Sequence, residues 1–281
     1  MEIFKYFHPD RMDVLRNKSI RLTQPLALND PFELKPHISA IASDEMITAE
    51  VEKVMKERVA IEYRKLPRDV RKLFTIESFE AMLKSKIEYF SPHRMISSVT
   101  PNIKGMLLDK FETMIGILCV TTSADNLLMW AHYADSHKGF VIEFDADSEF
   151  FNQKRSDVDE FGFLREVKYQ QVRPSVVLAD IEDFTIFLTK GIEWSYEREW
   201  RMMLPIQNAN NVIELGPEMP SINLFSFPQA AIKNIIMGCR MDEEKKNEIK
   251  RCIEGDEGYS HVKLLNTKID DKEYRLVIEP V

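Results

Sequence analysis

Glycine is scarce in this chain, nine residues in 281. Their spacing forms neither the Gly-x-Gly-x-x-Gly turn of a dinucleotide-binding fold nor the phosphate-wrapping loop of P-loop proteins. No Gly-x-Ser-x-Gly elbow surrounds a serine either. Cysteine is scarcer still. Cys119, Cys239 and Cys252 are odd in number and far apart, which excludes a disulfide framework and a Cys-x-x-Cys metal knuckle and fits a reducing compartment. Positive charge is in deficit: 38 lysines and arginines stand against 46 acids, a formal net charge of -8. Broad, sequence-independent nucleic-acid binding rests on neutralising phosphates and is not expected, although a local basic groove would escape this count. Long apolar runs are missing as well. No stretch reaches the length that spans a bilayer, and residues 1–6 carry no apolar signal core, so a cytoplasmic protein without membrane contact is expected.

What remains is a globular composition, 44% hydrophobic and 30% charged, over a length that supports a large core in one or two domains. Repeats and low-complexity linkers are not seen. The pattern predicts a strand at 3–7, a helix at 9–17 and a strand at 19–23, then a turn around Asn29, Asp30 and Pro31. From about residue 44 the periodicity becomes helical. A helix capped by Ser43 or Asp44 runs toward residue 64, Pro67 breaks it, and shorter helices follow at 67–73, 77–89 and 107–114. Residues 44–112 thus read as a helical insertion in a single domain spanning 1–281. Strands are expected at 115–121, 140–145, 166–169, 193–204, 232–237 and 274–278, with helices at 127–136 and 243–253. Short strands alternating with unequal helices, without a βαβ rhythm, give the α+β class.

Two segments carry unusual chemistry. Read at a strand's period of two, residues 194–204 place Trp194, Tyr196, Trp200, Met202 and Leu204 on one face, interrupted only by Arg198. The other face presents Ser195, Glu197, Glu199 and Arg201. Adjacent carboxylates repel and push one pKa upward, as functional sites often do; the plainer reading is a solvated sheet face with Arg201 as counter-ion. Earlier, Asn126, Trp130, Tyr133 and His137 fall at helical spacing, a pocket wall able to stack a planar ring or simply a core stripe. Ser123 caps that helix or sets a hydroxyl at the mouth of a cleft. Glu143, Asp145 and Asp147 alternate at a strand end and, with Glu197 or Glu199, offer Mg²⁺ ligands as in a nuclease. His132 and His137 lack the spacing of a zinc-binding helix.

Three blocks together, 29–33 (Asn-Asp-Pro-Phe-Glu), 129–140 (with Met-Trp-Ala-His-Tyr-Ala and His-Lys-Gly-Phe) and 196–201 (Tyr-Glu-Arg-Glu-Trp-Arg), resemble the bacterial family named domain of unknown function 2971; Lys5-Tyr6 also fits. More distantly, the order of blocks resembles ADP-ribosyltransferases of the Arg-Ser-Glu type. That resemblance implies a mixed, mostly antiparallel sheet core and NAD as substrate in a cleft between strands. Lys5 and Tyr6 would stand for the first-strand residue, Thr121-Thr122-Ser123 for the Ser-Thr-Ser strand end, and Glu197-Arg198-Glu199 for the Glu-x-Glu strand. Glu199 would bond the nicotinamide ribose, Glu197 would assist the acceptor, and Tyr133 would stack on the nicotinamide. The first strand here carries Lys5 where that type has arginine, with Arg21 one strand on. The expected catalytic pair is Glu199 and Glu197. The nucleotide-binding set is Lys5, Tyr6, Ser123, Trp130, Tyr133, His137 and Arg201, with no metal. Three functions follow as expectations: an NAD-dependent transferase, toxin-like or in phage defence, with its acceptor unread; a non-enzymatic nucleotide sensor; or a Mg²⁺-dependent nuclease using Glu143, Asp145, Glu197 and Glu199.

Overall fold

The computed structural model describes residues 1–159, 161–181, 185–216 and 219–281, and at 87–90 the backbone alone. In chain order the elements open with β1 (Glu2–Phe7), α1 (Asp13–Asn17), β2 (Ser19–Leu22), β3 (His37–Ala40), α2 (Asp44–Lys65), α3 (Arg68–Arg71), α4 (Ile76–Phe90) and α5 (Pro92–Met114). Next come β4 (Ile115–Thr121), α6 (Leu127–Tyr133), β5 (Phe140–Asp145), β6 (Arg165–Glu166), β7 (Lys168–Gln170), β8 (Ser175–Val177) and β9 (Thr189–Gly191). The chain closes with β10 (Glu199–Pro205), β11 (Asn211–Ile213), β12 (Ile222–Ser226), β13 (Ile232–Met237), α7 (Glu243–Glu254), β14 (Lys263–Ile269) and β15 (Leu276–Pro280). These elements form two compact units, one of residues 1–35, 110–173 and 184–281, the other of 36–109 and 174–183.

The first unit is built on an eight-stranded sheet in the order β15-β14-β13-β5-β1-β4-β10-β6. Every neighbouring pair is antiparallel except β13 with β14. The mixed, mostly antiparallel α+β class is therefore as expected. Alternation at period two sorts the apolar residues cleanly. Ile3 and Phe7 of β1, Ile142 and Phe144 of β5, Leu118 and Val120 of β4 and Met202 and Leu204 of β10 share one cluster with Leu15 of α1 and Ile249 of α7. The opposite face is covered in two separate pieces. One holds Phe4, Tyr6, Trp130, Val141 and Ile236; the other holds Leu34, Ile117, Leu188 and Met203.

In the second unit β3 and β8 pair in parallel, His37 against Ser175 and Ile38 against Val176. Ser43 caps α2 by accepting from the Met46 amide, and the helix buries Ile47, Met55 and Val59 at helical spacing. Pro92 stands at the first position of α5, where its missing N–H costs nothing, and that helix runs on through Pro101. No helix of the described residues is long and apolar enough to cross a membrane.

Two glycines are required by close approach. A Cβ on Gly139 would lie 2.0 Å from the Phe7 carbonyl oxygen, and one on Gly238 2.1 Å from that of His137. The ladders Phe7–Phe140 and Phe140–Met237 hold these backbones in register, so neither can retreat. Gly139→Ala is expected to cost about 3 kcal/mol through overpacking. Gly105→Ala, at a helical site with nothing within 4 Å, should be neutral or stabilise by up to about 1 kcal/mol. Urea-denaturation midpoints of the two variants check the contrast.

Candidate functional site

The sheet parts between β1 and β4. Their register consists of one pair, Phe4 with Thr121. Beyond it Thr23 takes the place of β1 against β4, exchanging backbone hydrogen bonds of 2.8 and 2.9 Å with Ile117. Lys5 spans the gap, its ammonium donating to the Cys119 carbonyl at 2.8 Å. A cavity of about 400 Å³ opens here, walled by β1 (Phe4, Lys5, Tyr6), β4 (Ile117, Cys119, Thr121), the loop carrying Asn29 and Glu33, helix α6 (Met129, His132, Tyr133), and Lys190, Glu197 and Glu199.

The expected strand over 193–204 is corrected by the structure. Residues 192–197 form a 3-10 helix, Arg198 turns the chain with φ 45, and only Glu199 begins β10. The left-handed turn costs about 1 kcal/mol in a non-glycine residue. It breaks the two-residue period and brings the Glu197 and Glu199 side chains together. Both faces of β10 are buried: Glu199 and Arg201 on one face, like Glu197 just before the strand, are under 5% exposed, as are Met202 and Leu204 on the other. A solvated face is thereby excluded.

Lys190 joins the two carboxylates, its ammonium 2.6 Å from Glu197 Oε2 and 3.1 Å from Glu199 Oε2, with Trp194 4.9 Å beneath it. Arg201 grips Glu199 with two nitrogens, at 2.7 and 2.9 Å, and donates to Glu33 Oε1 and the Phe187 carbonyl. The Glu199 amide donates to the Tyr169 hydroxyl at 2.8 Å. Helix α6 is tied directly to this segment. Tyr133 donates to Glu197 Oε1 at 2.5 Å and accepts from Asn29 at 3.2 Å, Asn126 donates to the Tyr196 carbonyl, and His132 meets the Tyr196 hydroxyl at 3.1 Å.

Burial works against the Lys190 charge, yet Glu199 and Glu197 outweigh it and raise its proton affinity above that of a free lysine. Lys5 has no carboxylate within ion-pair distance among the described residues, and burial lowers its pKa. Burial, reinforced by Glu199, holds the Cys119 thiol protonated. Burial and the hydrogen bond to Glu197 do the same for Tyr133.

Of the residues expected from sequence, Glu197, Glu199, Lys5, Tyr6 and Tyr133 share this cavity. Arg201 stands behind it, fully buried, as the support of Glu199. Ser123, Trp130 and His137 do not line it. Asn126, not Ser123, caps α6, accepting from the Leu128 and Met129 amides. Ser123 donates to Asp125 and accepts from the Tyr6 hydroxyl through its carbonyl. Trp130 is wholly buried, its indole donating to the Ala124 carbonyl and its ring edge-on to Tyr6. The helix ends at Tyr133, because Asp135, Ser136 and His137 all take positive φ. His137 therefore leaves the stripe, stacks on Trp130 and lines a second cavity of about 550 Å³ with Cys239 and Arg240. Glu143 bonds Asn234 and Asp145 pairs with Lys233. Among the described residues no three His, Cys, Asp or Glu side chains are grouped to hold a metal. Lys190 and Glu33 were missed. The signal for Lys190 was the pair Glu197 and Glu199 set against Arg201 alone on one face, and for Glu33 the acid that ends the Asn-Asp-Pro-Phe-Glu turn.

A family model described as Protein of unknown function (DUF2971) matches residues 129–202, the span from α6 into β10. The match supports the resemblance to that family. No curated protein and no solved structure matches the chain.

Removing Lys190 leaves three buried carboxylates against one guanidinium. Lys190→Met is expected to cost about 3–5 kcal/mol, and adding Glu197→Gln to recover about 1–2 kcal/mol of it. Because the folded pKa is raised above the ordinary lysine value of 10.5, the contribution of Lys190 is complete below that pH and lost only as pH climbs through the folded value. The difference between wild type and Lys190→Met should hence stay constant from about pH 6 to pH 9. Chemical denaturation across that range is the check.

Proposed function

We propose that the cavity binds the nicotinamide end of NAD and that the protein transfers ADP-ribose from it to an acceptor. The observation that carries this reading is the pair Glu197 and Glu199, fixed by Lys190 at the edge of one small cavity with Tyr6 and Tyr133. A volume of about 400 Å³ suits a ring and its ribose, within the usual range of roughly 300–1,000 Å³ for small-molecule sites. In this reading Glu199 lies against the ribose. It stabilises the positive charge that grows at the anomeric carbon as the bond to nicotinamide opens, the electron pair leaving with the nicotinamide nitrogen. Glu197 takes the proton of the acceptor as its nucleophilic atom closes on that carbon. Tyr133 and Lys190 orient Glu197, and Arg201 orients Glu199, so the carboxylates are set before substrate arrives.

One observation favours a second reading, a nucleotide sensor without turnover. All four oxygens of Glu197 and Glu199 already accept hydrogen bonds. The two readings part in one experiment. As a transferase the protein releases nicotinamide from NAD, insensitive to EDTA, and Glu199→Gln lowers the rate about 10²- to 10³-fold. As a sensor it gains thermal stability with NAD while releasing no nicotinamide. Neither release nor stabilisation would remove both, and nucleic-acid cleavage abolished by EDTA would point to the metal-dependent alternative. Chromatographic assay of nicotinamide, beside thermal melts with NAD, provides the measurement.

A further inference from the structure

Among the described residues, one carboxylate of the cavity wall is incompletely paired. Glu33 is 3% exposed and lines the cavity. Its Oε1 receives Arg201 and lies 3.5 Å from the Lys190 ammonium, whereas its buried Oε2 has no hydrogen-bond partner among the described residues. A buried carboxylate oxygen without a donor is unfavourable, and a donor or positive charge brought near it relieves that cost. The charge count points the same way. Glu33, Glu197 and Glu199 are three acids against the two cations bonded to them, Lys190 and Arg201. Lys5, the remaining cation of the wall, gives its ammonium to the Cys119 carbonyl, not to an acid. Aromatic surface completes the setting, with Phe4, Tyr6 and Tyr133 around the same space. Acids behind a lining of rings favour a flat cation over a neutral ring of equal size, through both the carboxylate charge and the ring faces.

We infer that Glu33 reads the ligand's charge: its incompletely paired carboxylate in the wall makes this cavity select a positively charged planar ring over its uncharged counterpart. The inference deepens the reading above by separating the oxidised, cationic nicotinamide ring from the reduced, neutral one, and it assigns that choice to a residue outside the proposed catalytic pair. Its energetic basis is one charge-assisted contact, which converts to about a tenfold preference or more.

The test uses the full-length protein and four probes. 1-Methylnicotinamide, methylated on the ring nitrogen and so a permanent cation, is titrated calorimetrically beside nicotinamide, the ring without charge; oxidised and reduced NAD follow. Wild type is expected to prefer each charged member by at least about tenfold. Glu33→Gln, whose amide keeps an oxygen for Arg201 and sets an NH₂ where the open oxygen stood, should narrow the preference to under about threefold. A purely structural role for Glu33 would alter stability and leave that ratio unchanged. Equal affinities in wild type, binding of neither ring, or an unaltered ratio in a folded Glu33→Gln would each overturn the inference. Should the variant not fold, the wild-type comparison of the two small rings decides alone. Preference for the cation without nicotinamide release from NAD removes the transferase reading and leaves this one standing; release without a preference does the reverse.

Discussion

Arg201 is a guanidinium with no exposed surface. Withdrawing such an ion from water costs several kcal/mol, and only carboxylates at contact distance make the burial tolerable. Glu199 supplies two contacts, Glu33 supplies one, and the Phe187 carbonyl takes a third nitrogen. Two distant parts of the chain, the turn at 30–33 and the segment before β9, are thereby fixed to one side chain at the start of β10. A lysine could not replace it, since a point charge has no rigid fork with which to hold two acids in a plane. Asn29 and Glu33 belong to the same turn, so anchoring Glu33 also sets Asn29 against the Tyr133 hydroxyl.

The second constraint is the parting of β1 from β4. A continuous ladder would leave no room between the two apolar pieces that cover this face of the sheet. With a single pair at Phe4 and Thr121, the strands diverge, and the space between them is lined by groups that a closed sheet would have paired. Thr23 restores the hydrogen bonds that β4 loses, and Lys5 satisfies the carbonyl of Cys119. Every backbone group freed by the gap that these residues reach finds a partner, which is why a cleft can persist inside a sheet.

How much of this could be read from the residues depended on whether the signal was local. Strands β4, β5 and β13 are short apolar runs between turn residues, and the seam of α2 repeats at helical spacing; such patterns need no knowledge of neighbours. The segment 194–204 misled because Arg198 takes a left-handed turn that favours glycine, asparagine or aspartate, and nothing in its side chain announces it. The helix after Asn126 misled similarly, since three successive left-handed residues remove His137 from a stripe its spacing matched. Lys190 was invisible for another reason. It sits in the three-residue strand β9, whose pairing with β7 is long-range and leaves no period behind. Two acids sharing a face with Arg201 alone did imply a further cation, though not which one.

A buried cluster of two bases and three acids is a poor way to stabilise a protein. Apolar side chains of similar volume would often do as well or better. What they could not do is hold Glu197 and Glu199 at fixed positions on the rim of a cavity. Lys190 reaches both from a short strand braced by the Trp194 ring, Arg201 closes Glu199 from behind, and Tyr133 closes Glu197 from the helix. Each carboxylate is thus oriented by groups that are themselves buried or paired, so little reorganisation remains when charge appears in the cavity. That is the condition under which fixed charges act most strongly on a reacting or charged ligand. The desolvation that the cluster costs is best understood as the energy of that arrangement. Among the described residues, one oxygen of the cluster, Glu33 Oε2, is left without a hydrogen-bond partner.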